Sequence, residues 1–275
     1  MQVLELDTLR LKIISSGGIE TCCILPEYKI AFDVGRCPSD LVDIPRVFLT
    51  HGHLDHTSGL SYYFSQRSLR RLPNPEVFAP KKLVNPLKKI LKQWQIIEQF
   101  KYSITIKKMK IFEKIKLSEN VSIQSLPSFH RIPSQGYVLL KTVKKLKEQF
   151  INLSGRKIKE LKDKKEDIFY IKEIPVFCVS GDTTIQFLQE NEIAGKAEVL
   201  VLECTYIDDK RPPERAHQWG HTHLYDIIEN SHLFENKHIL LCHFSKRYTP
   251  KVIEKIMKEK LPSDIKNRVT LIMNS

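Results

Sequence analysis

The sequence predicts an α/β fold in which strands and helices form a layered sandwich, and two observations support this prediction. Short apolar or alternating runs recur along the 275-residue chain, separated by glycine and proline, as is typical of strands. In the second half, several of these runs end in a polar residue and are followed by a segment with helical spacing. Such an arrangement clusters functional side chains at one edge of a sheet.

The composition indicates a globular protein with a sizeable core. Apolar residues make up 41% of the chain and charged residues 28%, and the length favours a single domain over residues 1–275. The formal net charge of +12 favours a polyanionic partner such as RNA, DNA or an anionic membrane, although many lysine-rich proteins of other functions share such a charge.

The compartment is predicted from what the sequence lacks. It has neither a signal-peptide pattern nor a run of the roughly 18–20 apolar residues that crosses a bilayer. Its six cysteines are scattered, with no C-x-x-C pair. These features predict a cytoplasmic protein with reduced, buried thiols and no membrane partner.

The first third is expected to form an antiparallel meander of strands that leads into the loop 50–59. The predicted strands are 11–14, 21–25, 29–33 and 46–49. A helix is predicted near residues 60–69. Another is predicted at 81–98, where Leu87, Leu91 and Trp94 recur at helical spacing. Pro86 is expected to kink this second helix or to lie in its first turn.

The remaining elements are predicted to alternate between strands and helices. The predicted strands are 104–106, 111–112, 121–126, 137–140, 176–179, 199–203 and 238–242, and the predicted helices are 183–191, 223–231 and 250–260. Thr183 or Thr184 is the expected N-cap of the first of these helices. Residues 141–167 are lysine-rich and poorly patterned, so we expect an exposed insertion with partial helix there.

The strongest functional signal is the H-x-H-x-D-H pattern at residues 51–56, which follows an apolar strand. His51 and His53 are two positions apart on one loop and can bind one cation, while Asp55 and His56 can turn to a second. Neutral imidazole and carboxylate suit Zn²⁺, and also Mn²⁺ or Fe. Four metal-binding side chains in six residues therefore predict a metal site.

A dinuclear site needs about three more ligands, and the ends of other predicted strands offer them. His130, Asp182 and His243 each follow an apolar strand and come after the loop in chain order. Because functional side chains gather where strands end, we expect these three residues to complete the site.

The ordered motifs resemble those of the metallo-β-lactamase superfamily, and several of them resemble ribonuclease Z in particular. The segments that carry the resemblance are FHRIPSQGY (129–137), VSGDTT (179–184), LECTY (202–206), GHTHL (220–224) and HFSKRY (243–248). They follow the family's order and, with the preceding strands, span residues 13–248. The resemblance implies the four-layer αββα sandwich of the metallo-β-lactamase fold.

The resemblance also implies a ligand set for two Zn²⁺ ions per chain. One ion would be held by His51, His53 and His130, the other by Asp55, His56 and His243, with Asp182 bridging both. Such a pair lowers the pKa of a shared water toward ~7, and the resulting hydroxide attacks phosphorus. In this family Asp55 also accepts a proton from the attacking water.

Four further residues are candidates, and three of them lie in the same motifs. Glu203 and His221 resemble a carboxylate–histidine relay that would protonate the leaving oxygen. Arg247 follows the last ligand by four residues and could bind a phosphate or simply order its turn. Asp33 lies at an early strand end, where it could support the site or belong to a turn.

The substrate is the least determined part of the prediction. Ribonuclease Z normally carries a long tRNA-binding arm between its third histidine and its bridging aspartate, and the interval from His130 to Asp182 looks short for one. The first hypothesis is an endoribonuclease that trims the 3′ trailer of precursor tRNA, and the resemblance makes a homodimer plausible. The alternatives are a hydrolase of a small phosphodiester, such as a cyclic nucleotide, or of another small ester, and a non-catalytic RNA-binding module.

Overall fold

The computed structural model describes residues 1–273, which form two mixed seven-stranded sheets flanked by helices. The first sheet contains β1 Gln2–Glu5, β2 Arg10–Ser16, β3 Glu20–Leu25, β4 Ile30–Phe32, β5 Arg46–Phe48, β6 Glu76–Pro80 and β7 Ile106–Met109, in that order. Strands β1 to β4 pair antiparallel, whereas β4 to β7 pair parallel. The expected antiparallel meander therefore ends at β4, because residues 33–45 cross over and return β5 in the same direction.

The second sheet is built in the same way from the other half of the chain. Its strands are β8 Lys114–Ser118, β9 Val121–Pro127, β10 Gln135–Leu146, β11 Phe169–Val179, β12 Val199–Glu203, β13 His238–Cys242 and β14 Val269–Leu271. Strands β8 to β11 are antiparallel and β11 to β14 are parallel. Each sheet thus has a parallel half whose strands all end at the same edge.

Ten α-helices lie among the described residues. They are α1 Leu54–Thr57, α2 Leu60–Leu69, α3 Lys81–Glu98, α4 Gly155–Asp163, α5 Gln186–Glu190, α6 Glu192–Gly195, α7 Pro213–Gln218, α8 Leu224–Glu229, α9 Pro250–Lys260 and α10 Ser263–Lys266. Short 3₁₀ turns occur at Pro26–Tyr28, Ser39–Asp43, Glu148–Phe150 and Ser231–Leu233.

Three apolar clusters define the layers of the fold. One cluster fills the space between the two sheets, where the Phe32 and Phe177 rings stack with their centroids 5.4 Å apart. A second cluster joins the first sheet to α2 and α3, and a third joins the second sheet to α5, α8 and α9. Helix, sheet, sheet and helix therefore follow one another, which confirms the predicted αββα sandwich.

Three predicted elements differ from the observed ones. The strand expected at 104–106 is displaced toward the C-terminus, since β7 spans Ile106–Met109. The strand expected at 111–112 is a turn, with Phe112 in the left-handed region at φ 63°, and β8 begins two residues later. The helix expected from Thr183 starts only at Gln186, because the Thr183 amide and hydroxyl are engaged with Glu203 and Phe129 instead of capping a helix. Pro86 lies in the second turn of α3, which continues to Glu98.

The lysine-rich segment 141–167 is the tip of a long hairpin. Beyond Lys141, β10 pairs only with the start of β11, and α4 follows at the tip. The strand prediction ended too early at residue 140, because exposed side chains on the ribbon erase the apolar alternation. Because β10 starts at Gln135, the hairpin leaves the sheet at the edge opposite to the ends of β11, β12 and β13. The far end of β10 lies roughly 35 Å from Gln135, at about 3.3 Å per residue.

All six cysteines are buried and unpaired by disulfides, as the sequence predicts. Burial raises the pKa of thiols such as Cys178 and Cys242 above the usual range. Among residues 1–273, no helix is long and apolar enough to span a membrane.

Candidate metal centre

The seven predicted ligands converge where strands of the two sheets end. His51 follows β5 by three residues and His243 comes directly after β13, while Asp182 follows β11 by three residues. His130 lies in the loop between β9 and β10. Gln135 anchors that loop, because its amide donates to the Thr50 carbonyl at 2.9 Å and so ties the second sheet to the first beside the site.

Three imidazoles form the first group. The distance from His51 Nε2 to His53 Nδ1 is 3.1 Å, and that from His53 Nδ1 to His130 Nε2 is 3.3 Å. Ligands about 2.0–2.1 Å from a tetrahedral cation lie roughly 3.3–3.4 Å from one another, so these nitrogens have the spacing of one coordination sphere. An oxygen of Asp182 completes the group, with all donor atoms within 4.8 Å of each other.

The second group faces the first across Asp182. His56 Nε2 and His243 Nε2 both lie 3.3 Å from Asp182 Oδ1, and Asp55 Oδ2 lies 3.6 Å and 3.3 Å from the same two nitrogens. Within residues 1–273, His56 Nε2 is buried and lacks a hydrogen-bond partner. A buried polar atom without a partner is costly, and a cation would satisfy it.

Asp182 turns its two oxygens to the two groups. Oδ2 lies 3.6 Å from His51 Nε2, while Oδ1 faces His56 and His243. Burial by itself raises the pKa of Asp182, but the surrounding imidazoles of His243, His56 and His51 together hold it well below its usual range. The carboxylate is therefore an anion positioned between two clusters of nitrogen donors.

Asp33 orients the first loop from behind. Its Oδ2 lies 2.7 Å from His56 Nδ1 and accepts from the Thr50 hydroxyl at 2.8 Å, and its Oδ1 accepts from the Thr50 amide at 2.7 Å. The Thr50 hydroxyl in turn lies 3.0 Å from His51 Nδ1. The second nitrogen of each ring is thus occupied, which directs Nε2 toward the centre. The sequence left Asp33 open between this role and a turn.

The other two histidines are held by groups that the sequence did not single out. His130 Nδ1 lies 2.7 Å from the Gly220 carbonyl, and His243 Nδ1 lies 3.0 Å from the Thr205 hydroxyl. Thr205 is the threonine of the LECTY motif, so the motif itself was the available signal. No feature of the sequence predicts the left-handed backbone conformation of His243, at φ 61°.

The imidazoles differ in the charge that they favour. Burial, and then the neighbouring His56, lowers the pKa of His51 well below its usual range, and burial also lowers the pKa of His53 and His130. These rings are neutral and free to coordinate. Burial also opposes a charge on His56, but the carboxylates of Asp182 and Asp33 outweigh it and raise the pKa of His56. That position therefore favours a positive charge, which a proton or a cation can supply.

Glu203 and His221 form a hydrogen-bonded pair beside the second group. Glu203 Oε1 lies 2.8 Å from His221 Nδ1, and Oε2 accepts from the Thr205 hydroxyl at 2.7 Å. Burial lowers the pKa of His221, but Glu203 outweighs this effect and raises it to about 9. A His221 ring nitrogen lies within 4.8 Å of donor atoms of Asp182 and His243, so a protonated imidazole reaches the centre.

The remaining candidate, Arg247, and two nearby histidines lie outside the two groups. Arg247 is exposed and lines an open cleft next to the centre. His223 accepts from the Tyr225 amide and caps α8, and His217 pairs with Asp226 at 2.9 Å. These two histidines stabilise the loop and helix behind His221.

Comparison with known proteins places the chain among metal-dependent hydrolases. Residues 32–244 match the family described as "Beta-lactamase superfamily domain". A tRNase Z of Arabidopsis thaliana is 35% identical over 98% of this chain and 96% of its own length, and a chloroplastic tRNase Z of the same plant is 35% identical over 89% and 70%. The short form of human tRNase Z superposes with a TM-score of 0.60 at 17% identity, covering 86% of this chain and 93% of the human chain. YhfI of Bacillus subtilis superposes with a TM-score of 0.63 at 13% identity, covering 96% of this chain and 97% of the YhfI chain. Both superpositions show the shared fold.

The loop that carries His221 depends on Gly220. Its φ of +73° is left-handed, and a methyl group would lie 2.8 Å from His130 Nδ1 and 2.9 Å from the Arg131 amide. We therefore expect Gly220→Ala to lower the free energy of unfolding by roughly 1–3 kcal/mol, measured by urea denaturation followed by circular dichroism. Gly155→Ala is the matched control, because a methyl group there meets nothing within 4 Å. Equal transition midpoints for the two variants would contradict the prediction.

Proposed function

Because the chain belongs to the β-lactamase superfamily, and within it to the tRNase Z (ribonuclease Z) family, we propose that it is a metal-dependent endoribonuclease that removes the 3′ trailer from precursor tRNA. The observation that carries the proposal is the convergence of seven histidine and aspartate side chains on two adjacent groups of donor atoms, beside the Glu203–His221 pair. The names of the relatives supply the reaction, and the site contains the groups that such a reaction needs.

The donor atoms fit two cations. We assign one to His51, His53 and His130, the other to Asp55, His56 and His243, and the bridging position to Asp182. Nitrogen and oxygen donors at tetrahedral spacing favour Zn²⁺, with Mn²⁺ or Fe as alternatives. When bound, such a pair lowers the pKa of water and stabilises negative charge on the reacting oxygens.

Asp55 is suited to orient the attacking water. Its Oδ2 accepts from the Gly18 amide at 2.9 Å and lies 3.3 Å from His243 Nε2. Burial raises the pKa of Asp55. The contact with His243 and the nearby His56 outweigh burial and bring the pKa below its usual value, so the side chain stays ionised. An ionised carboxylate at this position can accept a hydrogen bond, and then a proton, from a water aimed at phosphorus.

His221 is suited to protonate the leaving oxygen. A phosphodiester expels an alkoxide, which leaves far more readily when it receives a proton. Glu203 holds the imidazole by Nδ1 and favours its charged form, so Nε2 carries the proton that can be given away. The buried hydrogen bonds from Thr183 and Thr205 keep Glu203 in place.

The position of the lysine-rich hairpin is relevant to the proposed homodimer. The hairpin tip, with α4, leaves the sheet at the edge opposite to the metal centre, so its lysines lie far from the active site of their own chain. In a dimer, the hairpin of one subunit could bind the backbone of a tRNA that the other subunit cleaves. Exposed apolar side chains of α3, namely Ile90, Trp94 and Ile97, offer a surface for the second copy, and sedimentation velocity decides whether the dimer exists. The cytoplasmic location stays a prediction.

The function is tested with a precursor tRNA that carries a 3′ trailer. With Zn²⁺ or Mn²⁺ we expect release of mature-length tRNA, and mass spectrometry of metals should find two ions per chain. His53→Ala removes one proposed ligand from a half-buried position, so metal content should fall and kcat/KM should drop at least ~10²-fold. His232→Ala is the control, because His232 is exposed and lies outside both groups.

Two outcomes would replace the proposal. Turnover of bis(p-nitrophenyl) phosphate without any tRNA cleavage would favour a small-phosphodiester hydrolase. Binding of the precursor without hydrolysis of either substrate, in folded and metal-loaded protein, would favour a non-catalytic RNA-binding module.

The proton donor is tested by a pH profile. A general acid works only while protonated, so kcat/KM should fall as the pH rises through the pKa of His221. Glu203→Gln removes the carboxylate that raises this pKa, so the alkaline limb should move to lower pH and the rate at alkaline pH should fall roughly 10²-fold or more. Glu229→Gln on an exposed position of α8 is the control, and identical profiles for Glu203→Gln and the unaltered protein would exclude the role.

A further inference from the structure

An open basic cleft of about 660 Å³ adjoins the metal centre. The proposed reaction assigns no role to this cleft. It is lined by Tyr206, Lys210, Arg211, Pro212, Arg215, Trp219 and Arg247. Four of these side chains are cations and none is a carboxylate. Such a lining repels cations and attracts an anionic ligand.

Trp219 organises the guanidinium groups at one wall of this cleft. The guanidinium carbon of Arg131 lies 4.2 Å from the centroid of the Trp219 ring, and that of Arg215 lies 5.7 Å from it. A guanidinium stacked on an aromatic face keeps the N–H groups at its edges free to donate. The indole thus restricts two long side chains without using their hydrogen-bonding capacity.

Three arginines at the cleft have unused donors, whereas Arg211 pairs with Asp208 at 3.6 Å. Within residues 1–273, the side chains of Arg131, Arg215 and Arg247 make neither a hydrogen bond nor an ion pair. Arg67, in contrast, donates to three backbone carbonyls inside the fold. Arg67 is thus engaged within the fold, whereas these three arginines of the cleft keep planar forks that suit phosphate.

The cleft lies on the proton-donor side of the centre. Trp219 and His221 flank Gly220, whose carbonyl holds His130, and Arg131 follows His130 directly in the chain. The rings of Tyr206 and His221 lie 6.2 Å apart, centroid to centroid. A ligand in the cleft would thus reach the centre past His221.

We propose that this cleft binds the backbone phosphates of the RNA strand that carries the leaving oxygen, through Arg131, Arg215 and Arg247. The inference rests on the proposed function. In an in-line displacement the attacking and leaving oxygens lie on opposite sides of phosphorus. His221 protonates the leaving oxygen and borders the cleft. The part of the RNA that carries this oxygen therefore extends over the cleft, and the attacking water lies on the opposite side of phosphorus. Trp219 is a positioning residue that holds the guanidinium planes.

The test uses Arg131→Gln, Arg215→Gln and Arg247→Gln with two substrates. For precursor tRNA we expect kcat/KM to fall about 10-fold or more for each lost charge-assisted contact, while kcat/KM for bis(p-nitrophenyl) phosphate changes less than about two-fold. The slope of log Kd against log salt concentration should decrease by about 0.7–0.9 for each phosphate contact removed. Arg10→Gln is the control of equal charge, since Arg10 begins β2 whereas the site lies beyond the end of that strand.

Two further measurements address position and stacking. A neutral methylphosphonate linkage on the leaving side of the scissile bond should weaken binding by the unaltered protein but hardly affect the Arg131→Gln variant. The same linkage on the other side should weaken both proteins equally. Trp219→Phe should retain most activity on precursor tRNA, whereas Trp219→Leu should resemble the loss of Arg131.

The outcomes separate this proposal from the one on which it depends. If the unaltered protein does not cleave the precursor, the proposed function fails before any variant is made. If it cleaves the precursor and the three arginine variants match it in rate and salt slope, only the cleft proposal is overturned. Equal losses on both substrates would also overturn it, because the arginines would then act on the centre itself.

Discussion

The structure depends on one buried anion, the carboxylate of Asp182, placed among three imidazoles. A charge without water is costly unless opposite charges and hydrogen bonds surround it. His51, His56 and His243 supply that environment, each with a ring nitrogen 3.3–3.6 Å from a carboxylate oxygen. His51 and His56 follow β5 of the first sheet and His243 follows β13 of the second, so the electrostatic requirement of one side chain constrains both sheets at the same edge.

The distance between the sheets is set by the apolar layer that separates them. Rings of Phe32, Phe177 and Tyr137 fill this layer. The Tyr137 hydroxyl donates to the carbonyl of Leu49 at 2.6 Å, two residues before His51 in the chain. Close packing resists changes of a few tenths of an ångström, and metal ligands tolerate little more. The core therefore contributes to the chemistry by keeping two independent sheets in a fixed relation.

Much of this arrangement was predictable, and the limits have physical causes. The candidate ligands could be found because each follows a short apolar run such as 238–242. Such a run predicts a strand, and the polar residue after it then lies at the edge of the sheet. The hydroxyl of Thr205 and the carbonyl of Gly220 could not be assigned in advance, because their partners are remote in sequence: Gly220 lies 90 positions from His130. The hairpin beyond Lys141 was missed because a two-stranded ribbon exposes both faces, so no apolar alternation marks it. The stacking of Arg131 on Trp219 likewise exists only in three dimensions.

The buried cysteines have a consequence for which metals the protein takes up. Thiolates are preferred by soft ions such as Cd²⁺ and Cu⁺, and Cys204 and Cys242 are sequence neighbours of Glu203 and His243. Both thiols are buried in apolar clusters, where burial keeps them protonated. The centre thus offers only imidazole and carboxylate to an incoming ion. A site of nitrogen and oxygen donors suits ions such as Zn²⁺, Mn²⁺ and Fe²⁺, and the protonated thiols leave soft ions without the ligand that they prefer.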